Sequence, residues 1–301
     1  VDLWVDDNGT ALTTYGEINN WDVSLITDMS ELFKDKTDFN GDISSWDVSN
    51  VLNMAGMFFS AHSFSGNISN WNVSSVTNMS NMFRDAQSFN SDISSWNVAN
   101  VTQMSGMFEA AFIFNQDLAN WNVSSVTGMN ATFAHAINFN GNISDWDVSN
   151  VITMVNMMRN TNFNGDVSSW DVGNVTEMER MFYATPFNQN VSDWNVSNVT
   201  NMTGMFQAAN EFNQDLSSWD VSSVVYFNEM FDGSAISRDY QCSIHTSWSI
   251  NSNWSYDWES TCFVLPEELF SSAQLVTDGE SDVRDIAVGD LNGDGKLDVI
   301  T

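Results

Sequence analysis

Residues 71–96 read Trp71-Asn-Val73-Ser-Ser-Val76-Thr-Asn-Met79-Ser-Asn-Met82-Phe83-Arg-Asp-Ala86-Gln-Ser-Phe89-Asn-Ser-Asp-Ile93-Ser-Ser-Trp96. The same unit returns on both sides, its tryptophan recurring at Trp21, Trp46, Trp71, Trp96, Trp121, Trp146, Trp170, Trp194 and Trp219. Five steps are of 25 residues, two of 24 and the last of 25. A period of this length signals units that cannot close a core alone and must stack.

Within the unit, apolar residues follow the tryptophan at its second and fifth positions (Val73, Val76). They come next at the eighth, eleventh, twelfth and fifteenth (Met79, Met82, Phe83, Ala86), and then at Phe89 and Ile93. The middle group has i, i+3, i+4, i+7 spacing and predicts a short helix, with Thr77 or Ser80 as its cap. The outer groups step by two and predict short strands. The expected fold is a right-handed α/β repeat solenoid of eight to nine coils with parallel strand ladders. The methionine column from Met29 to Met202 reads as core filler. Both 24-residue repeats lose their residue between the twelfth position and the phenylalanine, Met158 to Phe163 and Phe182 to Phe187. A loop there absorbs the deletion without shifting a ladder.

Polar columns accompany the apolar ones. Asparagine recurs at Asn40, Asn90, Asn115, Asn140, Asn164, Asn188 and Asn213, and is expected to satisfy turn backbone and its own neighbours. Two further columns alternate Asp with Asn, which dilutes like-charge repulsion between repeats. A stacked pair such as Asp92 and Asp117 could also hold a cation.

Acidic residues number 39 against 8 Lys and Arg, for a net charge of −31. That balance repels nucleic acid and anionic membranes and suits an extracellular setting in screening salt. No apolar run reaches the length of a membrane span. The chain opens on Val1 without Met and stops at Thr301 inside an apolar run, as expected of a segment cut from a longer protein. Cys242 and Cys262 are expected to close one disulfide in an exported chain, or to stay free thiols in a reducing compartment.

The unit Phe39 to Phe58, and again Phe139 to Met158, resembles the BspA-like, leucine-rich-repeat-related surface-protein repeat, DUF285, over about residues 21–232. That resemblance implies an exported solenoid on a cell surface, linked to adhesion or interaction and seldom to catalysis. The family's leucine positions are largely Met, Phe, Val and Trp here. Asp282 to Thr301 resembles the start of an FG-GAP/VCBS repeat, a blade of integrin-like propellers. Its loop implies calcium on Asp290, Asn292, Asp294 and Asp298, with Lys296 contributing its carbonyl. The expected organisation is an N-terminal cap over 1–20, a solenoid over 21–231, a disulfide-closed cap over 232–271 and the partial blade over 272–301. The unfinished blade edge offers a template for strand addition, so copies of the chain are expected to join head to tail.

Fourteen Asn-x-Ser/Thr acceptors are present: Asn8, Asn67, Asn72, Asn78, Asn100, Asn122, Asn130, Asn142, Asn174, Asn190, Asn195, Asn198, Asn201 and Asn253. His62, His135 and His245 are scattered and no catalytic constellation is visible, so the chain is expected not to be an enzyme. A carboxylate pair on a polysaccharide-cleaving solenoid and a carbohydrate-binding module remain rival readings, the latter prompted by Trp248, Trp254 and Trp258. A threonine column (Thr27, Thr77, Thr102, Thr127, Thr176, Thr200) suggests ice binding, but Leu52, Ile152 and Val225 interrupt it. The expected role is an extracellular structural or adhesive scaffold for protein or glycan partners.

Overall fold

A computed structural model describes residues 1–262 and the backbone of two short strands, β1 (Ala287–Gly289) and β2 (Asp298–Ile300). The chain divides into two compact units, Val1–Cys262 and Phe263–Thr301. In the second, β1 and β2 pair antiparallel with Gly289 opposite Asp298. The predicted calcium ligands Asp290, Asn292, Asp294 and Lys296 lie outside the described residues; Asp298 opens β2.

In the first unit the repeats stack in parallel. One-residue parallel bridges join Asp28, Asn53, Asn78, Gln103, Gly128, Thr153, Glu177, Asn201 and Tyr226 in sequence. The predicted helix and strands do not form in the repeats, which are strings of turns. Hydrogen bonding gives the reason. The Gly56, Phe58 and Ser60 amides each donate to the next repeat, to Ser80, Met82 and Arg84 carbonyls, all at 2.8 Å. The alternate amides close local turns, Met57 to Met54 at 3.1 Å and Phe59 to Gly56 at 3.0 Å. A helix would direct every one of these amides four residues back along its own chain. A neighbouring repeat in register offers carbonyls instead, and a chain turning this tightly still puts Met54, Met57, Phe58 and Ala61 inside. The helical spacing in the sequence was real, but a turn string produces the same inward pattern.

This path needs a left-handed residue twice per repeat, at the tenth and fourteenth positions after the tryptophan. Gly56 and Ser60 have φ of 61° and 56°, and Ala110, Ala131 and Ala208 occupy equivalent places at 57°, 53° and 56°. A side chain there costs roughly 1–2 kcal/mol per residue, which the inter-repeat bonds must offset.

Aromatic columns fill the core. Trp96, Trp121 and Trp146 stack at 6.5 and 6.4 Å with planes 3° apart, and Phe83 lies on Phe89 at 3.8 Å. Each indole N–H finds a carbonyl in the preceding repeat, as Trp121 does at Ile93, 3.0 Å away. The predicted asparagine ladder is present: Asn115 Oδ1 accepts from the Asn140 amide at 2.8 Å, and Asn140 Oδ1 from the Asn164 amide at 2.9 Å.

The two shortened repeats keep the ladders in register, with Phe139, Phe163 and Phe187 spaced at 6.0 and 6.3 Å. Their compensation was not foreseen. Elsewhere the phenylalanine amide closes a turn onto an alanine carbonyl, as Phe89 does on Ala86 at 3.0 Å. Where a residue is missing, the alanine becomes a buried threonine, Thr161 or Thr185. The Thr161 hydroxyl donates to Met158 O at 2.8 Å and accepts from the Phe163 amide at 3.3 Å. A side chain has replaced the lost peptide.

Both ends of the stack are covered. Helices α1 (Asp2–Asp6) and α2 (Asn8–Tyr15) precede the first repeat, where Trp4 meets Trp21 edge-on at 5.8 Å. Helix α3 (Arg238–Trp248) brings Trp248 onto Trp219 at 6.2 Å, extending the indole column by one ring. Asn251 Nδ2 then donates to the Val221 and Val224 carbonyls at 2.8 and 2.9 Å. The Tyr256 hydroxyl accepts from the Phe231 amide at 2.8 Å, taking the place of a next repeat. Cys242 and Cys262 are bonded, tying α3 to α4 (Glu259–Cys262).

Two measurements test this account. Ala110→Gly should raise stability by about 0.5–1 kcal/mol by relieving a left-handed alanine, whereas Ala111→Gly next door, in the core, should lower it; denaturant midpoints give both signs. Thr161→Val should cost about 1–3 kcal/mol, because it leaves the Phe163 amide without its acceptor. A loss no larger than that of the exposed Thr102→Val would show that the hydroxyl is not closing the turn.

Candidate functional site

Comparing the repeats with one another separates positions the stack fixes from positions it leaves free. The inward columns scarcely vary. Among the tenth to seventeenth positions, those whose side chains leave the turn string outward vary in chemistry from repeat to repeat. Four of the five Lys and Arg within residues 21–232 lie at these outward positions (Lys34, Arg84, Arg159, Arg180), as do His62 and His135, whereas Lys36 takes the alanine column and pairs with Asp2 of α1 at 2.8 Å. Stacking turns each column into a row of touching side chains. Phe59 lies between the cations of Lys34 and Arg84, 5.5 and 5.3 Å from its ring centre. Arg84 pairs with Glu109 at 3.2 Å, and further along Arg159 sits 5.1 Å over the Tyr183 ring. Beside Phe59, the small Ala55 and Gly56 leave a shallow hollow of about 340 Å³ edged by Glu31 and Asn81.

Phe112, Ile113 and Ile137 form an apolar spot near the middle of this face, 36%, 44% and 50% exposed. The neighbouring repeats carry Thr37, His62 and Gln87 in the column of Phe112 and Ile137, so nothing in the stack demands apolar residues there. Charged and polar groups flank the spot. His62 Nε2 is 2.9 Å from Asp85, and Asn160 Nδ2 donates to His135 Nδ1 at 3.1 Å. Asn156 Oδ1 and Arg159 Nε are buried and lack a hydrogen-bond partner among the described residues. Burial, then the Arg159 guanidinium, pushes the His135 imidazole below its ordinary value, against a weaker opposing pull from Glu109.

The acidic columns have a structural task. Asp22, Asp92 and Asp147 each accept from the hydroxyl and the amide of the serine two residues on, which holds their carboxyls below the usual range. Asp92 thus serves its own turn, whereas Asp117 Oδ1 accepts from the Asn142 amide of the next repeat at 2.9 Å. Asparagine does the same work at Asn67, Asn72, Asn122, Asn142, Asn190 and Asn195, through Oδ1 alone. These six acceptors are exposed, and their Nδ2 atoms have no hydrogen-bond partner among the described residues. At Asn100, Asn174 and Asn198 the Nδ2 instead donates to the preceding repeat at 2.7 Å. Asn253 Nδ2 donates to Val224 O and Asn8 Nδ2 to Trp4 O, whereas Asn78, Asn130 and Asn201 are half-buried in or beside the bridge row. The tryptophans considered for sugar binding are packed: Trp248 is buried, and Trp254 meets it edge-on at 5.2 Å and donates to His245.

The His135 shift sets a pH dependence. A folded value below the unfolded one means that the unfolded chain binds the extra proton first, so stability is full above the unfolded value and falls as pH drops through it. His135→Gln should flatten the decline in melting temperature between about pH 7 and about pH 5, and a decline as steep as in the parent chain would count against the shift.

The described residues include no helix long and apolar enough to cross a membrane. No curated protein and no solved structure matches the chain. The family described as "Mycoplasma protein of unknown function, DUF285" matches residues 7–119, 110–188 and 159–257, which together take in every stacked repeat and most of α3 and the segment after it. The chain belongs to the DUF285 family.

Proposed function

We propose that the chain is a solenoid scaffold of an extracellular, cell-surface protein, and that it binds a protein partner, without catalysis, through the variable outer face of its turns. The observation that carries this reading is the apolar spot Phe112, Ile113 and Ile137, in columns that are polar in most other repeats, flanked by Asp85, Glu109, His135 and Arg159. An exposed apolar centre with a charged margin is the arrangement of a binding hot spot.

The disulfide, the −31 charge and the family's repeats support an exported location. In a secretory pathway that glycosylates, Asn67, Asn72, Asn122, Asn142, Asn190 and Asn195 are the acceptors the stack leaves freest. Calcium on Asp290, Asn292, Asp294, Lys296 and Asp298, within an FG-GAP/VCBS-like repeat, belongs to the same proposal and rests on sequence alone.

Adhesion separates this reading from glycan binding. Beads coated with the full chain should hold to a protein-coated surface, and Phe112→Glu with Ile137→Glu should reduce retention at least about tenfold. Retention on polysaccharide films alone, unchanged in that variant, would sink the proposal.

A further inference from the structure

A different face carries a second inference, independent of the variable one. The third, fourth and sixth columns after the tryptophan, beginning at Ser24, Leu25 and Thr27, contain no Asp, Glu, Lys or Arg in any of the nine repeats. The chain as a whole carries 39 acidic residues, so this strip runs uncharged through an acidic surface. By strand spacing it extends about 40 Å.

The strip has used its own hydrogen-bonding groups internally. The amides of Leu52, Thr77 and Thr102 donate to the sixth-column carbonyl of the preceding repeat at 2.8, 2.9 and 2.9 Å. The Thr77 and Thr102 hydroxyls donate to those same carbonyls at 3.2 Å. In the fourth column Asn100 Nδ2 and Ser75 Oγ donate to the preceding repeat, both at 2.7 Å. What remains to meet a partner is weakly polar, and includes Leu52, Ile152 and Val225 at 49%, 51% and 47% exposure. The residues that break the threonine column, together with Leu25 at 88% exposure, thus give the strip its exposed aliphatic area.

We infer that this strip binds a second copy of the chain, the two stacks side by side and parallel about a two-fold axis. Charge and period both select that occupant. Two chains of −31 repel wherever acids face acids; this strip carries no acid of its own, and the carboxylates at its edges, Asp22, Asp147 and Glu177, are each held by a strip hydroxyl, so approach along it meets the least repulsion. A rigid row repeating once per unit is matched by a surface of equal period, and a second copy has that period by construction. About the two-fold, each repeat meets its counterpart, so Leu52 lies on Leu52, Ile152 on Ile152 and Val225 on Val225, as an isologous contact requires. This closes a dimer, unlike the open head-to-tail chain expected from an unfinished blade edge.

Sedimentation of the full chain over rising concentration tests the inference. The chain should dimerise reversibly, with Thr102→Glu raising the dissociation constant at least about tenfold by setting like charges face to face. Asn210→Glu, an equal charge change at an exposed position off the strip, should leave it unchanged. A Leu52→Cys variant should cross-link to itself under mild oxidation, which reads the parallel register even if Thr102→Glu folds poorly. A monomer up to about 1 mM, a dimer indifferent to Thr102→Glu, equal weakening by both glutamates, or no cross-link at position 52 in the dimer would each overturn it.

Discussion

The donation of alternate backbone amides to the next repeat is the constraint on which the rest of this structure depends. Half the amides of each turn string, such as Gly56, Phe58 and Ser60, are satisfied only by a neighbour in register. A single repeat would leave them open to water and its indole without a carbonyl. Stability is therefore a property of adjacency, built from nearest-neighbour contacts rather than from units that fold alone. The covering segments follow from the same fact: Tyr256 and Asn251 meet backbone groups that a further repeat would otherwise meet. The left-handed residues follow too, since the bonds that demand them also compensate their strain.

Much of the stacking was legible in the sequence because the columns are chemically uniform. The tryptophan period gave the unit, the asparagine column gave its ladder, and the position of the deletions gave a register that survives them. The local conformation was not legible. Met54, Met57, Phe58 and Ala61 have helical spacing, and a run of turns with left-handed corners puts the same residues inside. Glycine would have betrayed those corners, yet it holds only Gly56, Gly106, Gly204 and Gly233 among the eighteen, the rest being residues such as Glu31, Asn81, Arg180 and Ala184. A contact with a residue 24 positions away decided the outcome, and local propensity does not contain that information.

The candidate site was legible only in part. His62 and His135 look scattered along the chain, but stacking gathers them with Lys34, Arg84, Arg159 and Arg180 onto one outer face. The usable signal was column-wise: Phe112 and Ile137 stand in a position that the three preceding repeats fill with Thr37, His62 and Gln87. Reading down columns instead of along the chain would have found it. In the acidic columns, Oδ1 of Asp92 and of Asp117 each holds a backbone amide, one in its own turn and one in the next repeat, a task that spacing along the chain does not reveal.

The threonine that replaces a missing peptide bears on how such arrays change length. Losing one residue from a repeat would ordinarily throw every later ring out of its stack. At Thr161 and Thr185 one alanine-to-threonine exchange absorbs the loss, and the phenylalanine rows run on undisturbed. An alanine codon becomes a threonine codon by a single base change, so contraction and repair are close neighbours in sequence space. The 25-residue period is then a habit of the lineage rather than a requirement of the architecture. Relatives that drift to shorter or mixed periods would be overlooked by a fixed-period search and found by looking for a threonine two residues before the phenylalanine.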